Sequence, residues 1–158
     1  MFVMNLKLNN KKVLIICIII AFLVALIVEG ISFINNNNDS YDYIVTGENF
    51  TNMLKTIHED IEGNIGKTIK VSGFVFNMPD FKETNFVCGR NMLLYDDAKV
   101  VGFLCEYEKK NDLLDAEWIE ITGTFIKGFY SCDMPVIKVE NCTKIPAPAN
   151  SFVDPPSI

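Results

Sequence analysis

The sequence predicts a mainly β protein with a small closed barrel, one amphipathic helix before it and a single transmembrane helix at the N-terminus. Three patterns support this prediction. The segment Val13–Val28 is apolar and carries no charge. The segments 66–76 and 118–125 alternate between two faces around a central glycine, as bent strands do. Between residues 50 and 61, apolar residues recur with the spacing of one helix face.

Residues 1–34 have the composition of a cytoplasmic end followed by a membrane anchor. Lysines precede the uncharged run Val13–Val28, and all acidic residues follow it. A helix of roughly 20 apolar residues crosses a bilayer, and basic residues mark its cytoplasmic side. We therefore expect a single-pass membrane protein with a cytoplasmic N-terminus and an extracytoplasmic C-terminal domain. The alternative is a cleaved signal peptide that ends near Val28-Glu29-Gly30.

Residues 35–45 are rich in asparagine and predict a polar tether between the anchor and a folded domain. Thr46 is the expected N-cap of an amphipathic helix, and Gly63 is its expected end. This helix is predicted to cover one open end of the barrel. Its apolar stripe consists of Phe50, Met53, Leu54, Ile57 and Ile61.

Five segments after the helix predict the strands of the barrel. Gly73 and Gly123 interrupt two of them, where we expect bends that let the sheet close. Five strands with glycine kinks favour an OB-like barrel, which together with the helix spans residues 46–144. Residues 145–158 contain four prolines and are expected to run extended over the surface without joining a sheet. The predicted strands are 66–76, 84–95, 99–107, 118–127 and 135–142.

The charge balance argues against nucleic acid as a partner. The chain has 20 acidic and 14 basic residues, and three of the lysines precede the apolar run. The remainder therefore carries a net charge of about −9, which repels a polyanion. Aromatic residues are plentiful, but the basic groove that accompanies them in nucleic-acid-binding barrels is missing.

The cysteines predict a disulfide if the turn after the second strand is a two-residue loop. With Asp96 and Asp97 as that loop, Cys88 lies directly opposite Cys105, within about 5.5 Å at Cα, which suits a bridge. Cys132 and Cys142 would form the remaining pair. Buried reduced thiols are the alternative, and a four-thiolate metal site is disfavoured because no C-x-x-C motif is present.

Few residues suggest chemistry. Asp96 and Asp97 are candidate oxygen ligands for a divalent cation, although aspartates also form turns simply by bonding to the local backbone. The single histidine, His58, is expected to face water without a nucleophile beside it. The sequence therefore predicts no catalytic residue, no cofactor and no enzymatic activity.

Two loops at one end of the barrel are the predicted contacts for a partner. They are residues 78–84 and 128–134, because rigid scaffolds tend to carry function on such loops. The candidate contact residues are Met78, Phe81, Phe129 and Tyr130.

The motifs resemble the C-terminal domain of a bacterial family of uncharacterised membrane proteins, described as subunits of a two-component permease. The resemblance rests on Ile65-Gly66-Lys67 through Val75, Arg90 with Asp97-Ala98, the run 118–124 and the proline-rich end. It implies an OB-like barrel outside the bacterial cell membrane and a permease partner within it. Two departures are Leu94 and Tyr95, where the family often has paired cysteines, and one apolar segment instead of several.

The sequence as a whole predicts a non-enzymatic, membrane-anchored binding or accessory domain. Its partner would be a permease or another envelope protein, and confinement near the membrane would raise the effective concentration of that partner. The alternative is a module for a small ligand or metal that uses Asp96, Asp97 or the cysteines.

Overall fold

The computed structural model describes residues 40–95 and 97–157. The predicted anchor Val13–Val28 and most of the predicted tether lie outside these residues. Within the described ranges, no helix is long and apolar enough to cross a membrane.

The described chain forms seven strands, two α-helices and one 3₁₀ turn. Helix α1 spans Phe50–Glu59, α2 spans Ile61–Asn64, and the 3₁₀ turn spans Lys110–Asp112. The strands are β1 (Tyr43–Val45), β2 (Thr68–Phe76), β3 (Asn85–Leu94), β4 (Asp97–Glu106), β5 (Trp118–Tyr130), β6 (Cys132–Lys144) and β7 (Phe152–Val153).

Strands β2 to β6 close into a barrel, which confirms the predicted five-stranded architecture. The order in the sheet is β1-β2-β5-β6-β4-β3-β7, and an additional β2–β3 pairing closes it. Strands β4 and β6 pair in parallel where Cys105 is opposite Ile137, and the other barrel pairs are antiparallel. Gly123 lies at a register shift between β5 and β6, so the irregularity predicted there is confirmed.

The inner faces of the strands and one face of α1 form a single apolar core. Phe50 and Ile57 of α1 are fully buried, and the ring of Phe50 meets that of Phe103 edge-on at 5.4 Å. Four of the five residues of the stripe predicted for this helix, Phe50, Met53, Leu54 and Ile57, therefore face the core, whereas Ile61 lies in α2. Its core partners include Ile69, Val71, Val75, Phe86, Cys88, Cys105, Ile119, Ile121, Phe125 and Ile137.

The start and end of the helix differ from the prediction. Asn49, not Thr46, occupies the N-cap, and its side chain makes no capping bond because its Oδ1 accepts the backbone N–H of Thr46 at 2.7 Å. The helix ends at Glu59, and α2 follows. Asp60 caps α2 by accepting the N–H of Gly63 at 3.0 Å, so Gly63 lies inside this second helix.

Two strand boundaries also correct the prediction. The tail joins the sheet, because β7 pairs in parallel with Asn91 and Met92 of β3. The prolines of the tail lie before and after the two residues of β7, Phe152 and Val153, and not within the strand. Strands β5 and β6 reach Tyr130 and Cys132, so most of the predicted loop 128–134 is a long hairpin with a tight turn at Ser131, whose φ is 62°.

Candidate functional site

The structure brings together the two loops that the sequence singled out. The loop between β2 and β3 folds onto the tip of the β5–β6 hairpin. Tyr130 donates its hydroxyl to Asp80 at 2.8 Å, and its ring meets that of Phe81 edge-on at 5.1 Å. The Tyr130 hydroxyl also lies 3.9 Å from the sulfur of Met78. Residues 77–84 and 128–134 are called the paired loops below.

Phe129 is the exposed large hydrophobic residue of the paired loops. Its side chain is 70% exposed, whereas Phe81 and Tyr130 are partly buried against each other. Three of the four predicted contact residues, Met78, Phe81 and Tyr130, thus support a surface, and the fourth, Phe129, projects from it. A large exposed aromatic side chain on a braced hairpin is a feature of binding surfaces.

Charged groups hold the base of this hairpin. Lys127 pairs with Glu62 at 2.7 Å and with Asp133 at 3.3 Å, and these contacts raise the pKa of its ammonium, the Glu62 bond most. The hydrogen bond to Asp80 raises the pKa of Tyr130, because the phenol proton is shared with a carboxylate. The phenol therefore stays a donor throughout the physiological pH range.

A second feature lies where β2 and β3 separate, and we call it the fork. On the same edge, β2 pairs with β1 through Ile69–Val71 and with β3 through Phe74–Phe76. Gly73 lies between these two paired segments of β2, and a Cβ on Gly73 would lie 2.6 Å from the carbonyl oxygen of Gly89. The β2–β5 register runs through Gly73 without a shift, so the bend expected at Gly73 stays a prediction, and what the structure shows there is a close backbone approach at the fork.

Arg90 fills the fork and is only 5% exposed. Its Nε donates to the carbonyl of Ser72 at 3.0 Å and its Nη2 to the Ser72 hydroxyl at 2.9 Å. The guanidinium lies 4.6 Å from the ring centroid of Trp118 and 5.9 Å from that of Phe50. No carboxylate among residues 40–95 and 97–157 forms an ion pair with it.

The alternation along β3 is the signal for this arginine in the sequence. Phe86, Cys88 and Arg90 alternate on the buried face of β3, so a cation stands at a core position. Burial lowers the pKa of the guanidinium, although arginine still remains charged at neutral pH. Such a buried cation without a counter-ion is unusual.

Comparison with known proteins identifies the family. The model of the DUF1980 C-terminal domain matches residues 32–155. The chain belongs to the DUF1980 family. The resemblance to an uncharacterised bacterial family, drawn from the motifs at 65–75 and 118–124, is therefore confirmed. The description as a permease subunit stays a prediction.

One relative and two solved structures are similar to parts of the chain. The UPF0703 protein YcgQ of Bacillus subtilis is 27% identical over 124 residues, which are 75% of this chain but 44% of YcgQ. The N-terminal domain of PriB from Thermoanaerobacter tencongensis has a TM-score of 0.34 at 16% identity, covering 54% of this chain and 99% of that one. The small single-stranded DNA-binding protein from Streptomyces coelicolor has a TM-score of 0.32 at 10% identity, covering 51% and 93%. Similarity at these TM-scores carries no argument about function, and the exclusion of nucleic acid stays a prediction.

The cysteines of this DUF1980 domain do not have the predicted register. Leu94 pairs with Asp97 across the turn, so Cys88 is opposite Phe103 and Cys105 is opposite Phe86. The direct opposition of the two cysteines was therefore wrong, because the turn falls one residue earlier than expected. Both thiols are free and fully buried. Burial raises the pKa of Cys88 to about 12 and that of Cys105 well above its usual value.

The second predicted cysteine pair is incompatible with the fold. Cys132 and Cys142 are both free and lie in the same strand, β6. A strand rises about 3.3 Å per residue, so ten residues separate them by roughly 30 Å. A bridge within one molecule needs Cα atoms within about 7 Å. The pairing of Cys132 with Cys142 in one chain was therefore wrong.

The candidate metal ligands have no further ligating side chains around them in the described residues. Asp97 is exposed and lies 3.8 Å from Lys99, and Asp96 lies outside the described residues. In the described part of the chain, no group of three or more His, Cys, Asp or Glu side chains is arranged to hold a metal ion. His58 is half-buried instead of facing water, and its Nδ1 lies 2.8 Å from the carbonyl oxygen of Leu54.

Proposed function

We propose that this DUF1980 domain is a non-enzymatic binding module, anchored in the bacterial cell membrane and exposed outside it. Its paired loops bind a permease or another protein of the envelope. The observation that carries the proposal is the braced hairpin that presents Phe129 at 70% exposure.

The barrel that supports the loops is OB-like in this proposal. Its first three strands pair in sequence, the fourth pairs with the first, and the fifth fits in parallel beside the third. OB-folds are five-stranded Greek-key barrels that bind ligands with the loops joining strands one to two and four to five. The paired loops are those two connections in this chain.

Phe129 supplies the binding energy in this proposal. Covering an exposed phenylalanine is worth about 1.5–3 kcal/mol, and central aromatic residues dominate most interfaces. The hydrogen bond from Tyr130 to Asp80 orders the hairpin before the partner arrives. Less conformational entropy is therefore lost on binding.

The anchor would contribute by confining the domain to the membrane surface. A tethered module meets a membrane partner at a raised effective concentration, so a modest contact area suffices. The acidic balance of the domain favours a partner with a basic surface.

Isolation of the full chain from membranes of the source organism tests the proposal. The substitution Phe129→Ser removes the proposed contact, and Leu114→Ser is the matched control because Leu114 is 68% exposed. We expect a stoichiometric membrane protein to co-purify with the wild type and with Leu114→Ser. Its recovery with Phe129→Ser should fall about tenfold or more, since 1.4 kcal/mol is tenfold in affinity. Equal recovery with both variants would refute the role of the paired loops.

A further inference from the structure

We propose that the side of the β3–β4 hairpin that points away from the core is the interface of a two-fold symmetric dimer, formed with a second copy of this chain. We call this side the outward face. It is separate from the paired loops and independent of the function proposed for them. The outward face consists of Asn91 and Leu93 of β3, Ala98 and Val100 of β4, and Phe152 of β7.

The register of the sheet places these five side chains on one side. Cys88 of β3 is fully buried in the core, and side chains alternate along a strand, so Asn91 and Leu93 point away from the core. Residues directly opposite each other in a sheet lie on the same side. Asn91 has Val100 and Phe152 as its partners, and Leu93 has Ala98.

The outward face is apolar and open to solvent. Leu93 is 52% exposed, Phe152 is 41% exposed and Val100 is 39% exposed, and all three are large hydrophobic residues. Contiguous apolar patches of this kind are rare on soluble monomers and mark interaction sites. The outward face is therefore suited to contact with another protein surface.

A hollow of about 280 Å³ opens beside this patch. Gly89, the residue before Asn91 on the same side of β3, carries no side chain, and a Cβ there would lie 3.0 Å from Val100 and 3.5 Å from Phe74. The hollow therefore lies next to a position where the strand has no side chain. It is lined by Phe74, Asn91, Val100, Ala116, Trp118 and Ser151.

The shape of the outward face favours a second copy as its occupant. In a two-fold interface one patch supplies both sides of the contact, so it must carry a projecting group and a hollow that accepts it. Leu93 projects from the same strand and the same side as Asn91, which lines the hollow. A two-fold axis through the face therefore directs the Leu93 of each copy to the hollow of the other.

The charges also favour a second copy. The chain has a net charge of −6, so two copies repel each other through most of their surface, and a charge near a two-fold axis meets its like. None of the five residues of the outward face is charged. Asp97 and Lys99 adjoin Ala98, but by alternation they lie on the other side of the hairpin, where they are 3.8 Å apart. Two acidic copies can therefore approach through this face without contact between like charges.

The mass of the full chain in detergent, measured by size-exclusion chromatography with light scattering at increasing protein concentration, tests the dimer. Leu93→Glu and Val100→Glu place a carboxylate on the projecting residue and in the hollow. Phe129→Glu is the control, because it adds the same charge at a position 70% exposed outside the outward face. We expect the wild type and Phe129→Glu to be dimers, and both face variants to be monomers at concentrations about tenfold higher or more. Because Leu93 is mostly exposed, Leu93→Glu should keep the thermal midpoint of the wild-type fold.

Three outcomes would overturn the proposal. The first is a wild type that stays monomeric at every concentration. The second is a dimer that persists in both Leu93→Glu and Val100→Glu, or that Phe129→Glu also abolishes, since the contact would then lie elsewhere. The third is a monomeric wild type that recovers a different protein, with the recovery lost in Leu93→Glu, because the outward face would then belong to that protein.

Discussion

The guanidinium of Arg90 stacks on the indole of Trp118, with 4.6 Å between its central carbon and the ring centroid. The two residues belong to different barrel strands, and Ser72 on the strand between them accepts both directed hydrogen bonds. Arg90 thus holds β3 to β2 at the fork, where the backbone pairing of those strands has ended. The two hydrogen bonds from Arg90 to Ser72 thus take the place of the backbone hydrogen bonds that β2 and β3 lack at this point.

The first prediction concerns the coupling between these two residues. Arg90→Met and Trp118→Leu should each lower the free energy of unfolding, and a double-mutant cycle should give a coupling of about 1–2 kcal/mol, as expected for a desolvated cation–π pair. The measurement is chemical denaturation. Lys99→Met, which removes an exposed cation from β4, is the control and should cost less than about 0.5 kcal/mol. Additive effects of the two substitutions would show that the stacking contributes nothing.

The second prediction tests the close approach at the fork. Gly73→Ala places a methyl 2.6 Å from the carbonyl oxygen and 3.0 Å from the nitrogen of Gly89, so backbone must move. We expect a loss of about 1–3 kcal/mol. Gly89→Ala is the matched control, because the three atoms nearest to its Cβ would all belong to side chains, with Val100 nearest at 3.0 Å. The denaturation midpoint should fall clearly further for Gly73→Ala, and equal shifts would contradict this account of the fork.

The third prediction concerns thiol reactivity. Cys88 and Cys105 are buried and have raised pKa values, about 12 for Cys88, so little thiolate forms at mild alkaline pH. Cys132 is exposed. Alkylation of the native protein at pH 8, followed by mass spectrometry, should label Cys132 first and the two buried thiols only after unfolding. Rapid native labelling of Cys88, or a mass that requires a Cys88–Cys105 bridge, would contradict the structure.

The fourth prediction is a pH dependence of the attachment of β1. The carboxylate of Asp42 accepts the N–H of Thr68 at 2.8 Å and its hydroxyl at 2.9 Å. The backbone bond from Thr68 is the largest cause that lowers the pKa of Asp42 below 3.8. The ionised form is therefore favoured by folding, and its contribution is present above pH 3.8 and lost as the pH falls through the lowered value.

Asp42→Asn should accordingly lower the thermal midpoint at pH 7, and the gap to the wild type should narrow as the pH falls below 3.8. Asp112→Asn is the control, because Asp112 is exposed and its side chain has no bond in the described residues. If the difference in thermal midpoint between the wild type and Asp42→Asn is the same at pH 7 and below pH 3.8, the carboxylate has no ionic role.

Local patterns predicted most of the barrel, because alternation and helical periodicity are read within single segments. The stripe from Phe50 to Ile57 and the kinked strand around Gly123 are examples. The β3–β4 register could not be predicted in this way. If the turn falls one residue earlier in the chain, the residue opposite Cys88 changes from Cys105 to Phe103. No local feature of the sequence distinguishes these two registers.

The candidate sites, too, were predictable from local sequence only in part. Loops 78–84 and 128–134 could be named from their place in the barrel, but the bond between Tyr130 and Asp80 joins residues far apart in sequence. The exposure of Phe129 likewise depends on how far the β5–β6 hairpin extends. Arg90 was visible as a cation among core residues, yet its stacking on Trp118 required the fold.

The central claim, that the paired loops bind a protein of the envelope, is tested most directly by site-specific photocross-linking in living cells. A photoreactive phenylalanine analogue replaces Phe129 in the full chain, and in a parallel strain it replaces Leu114, which is equally exposed. The account predicts one discrete adduct with a membrane or envelope protein at position 129 and none at 114. No adduct at 129, or the same adducts at both positions, would contradict it.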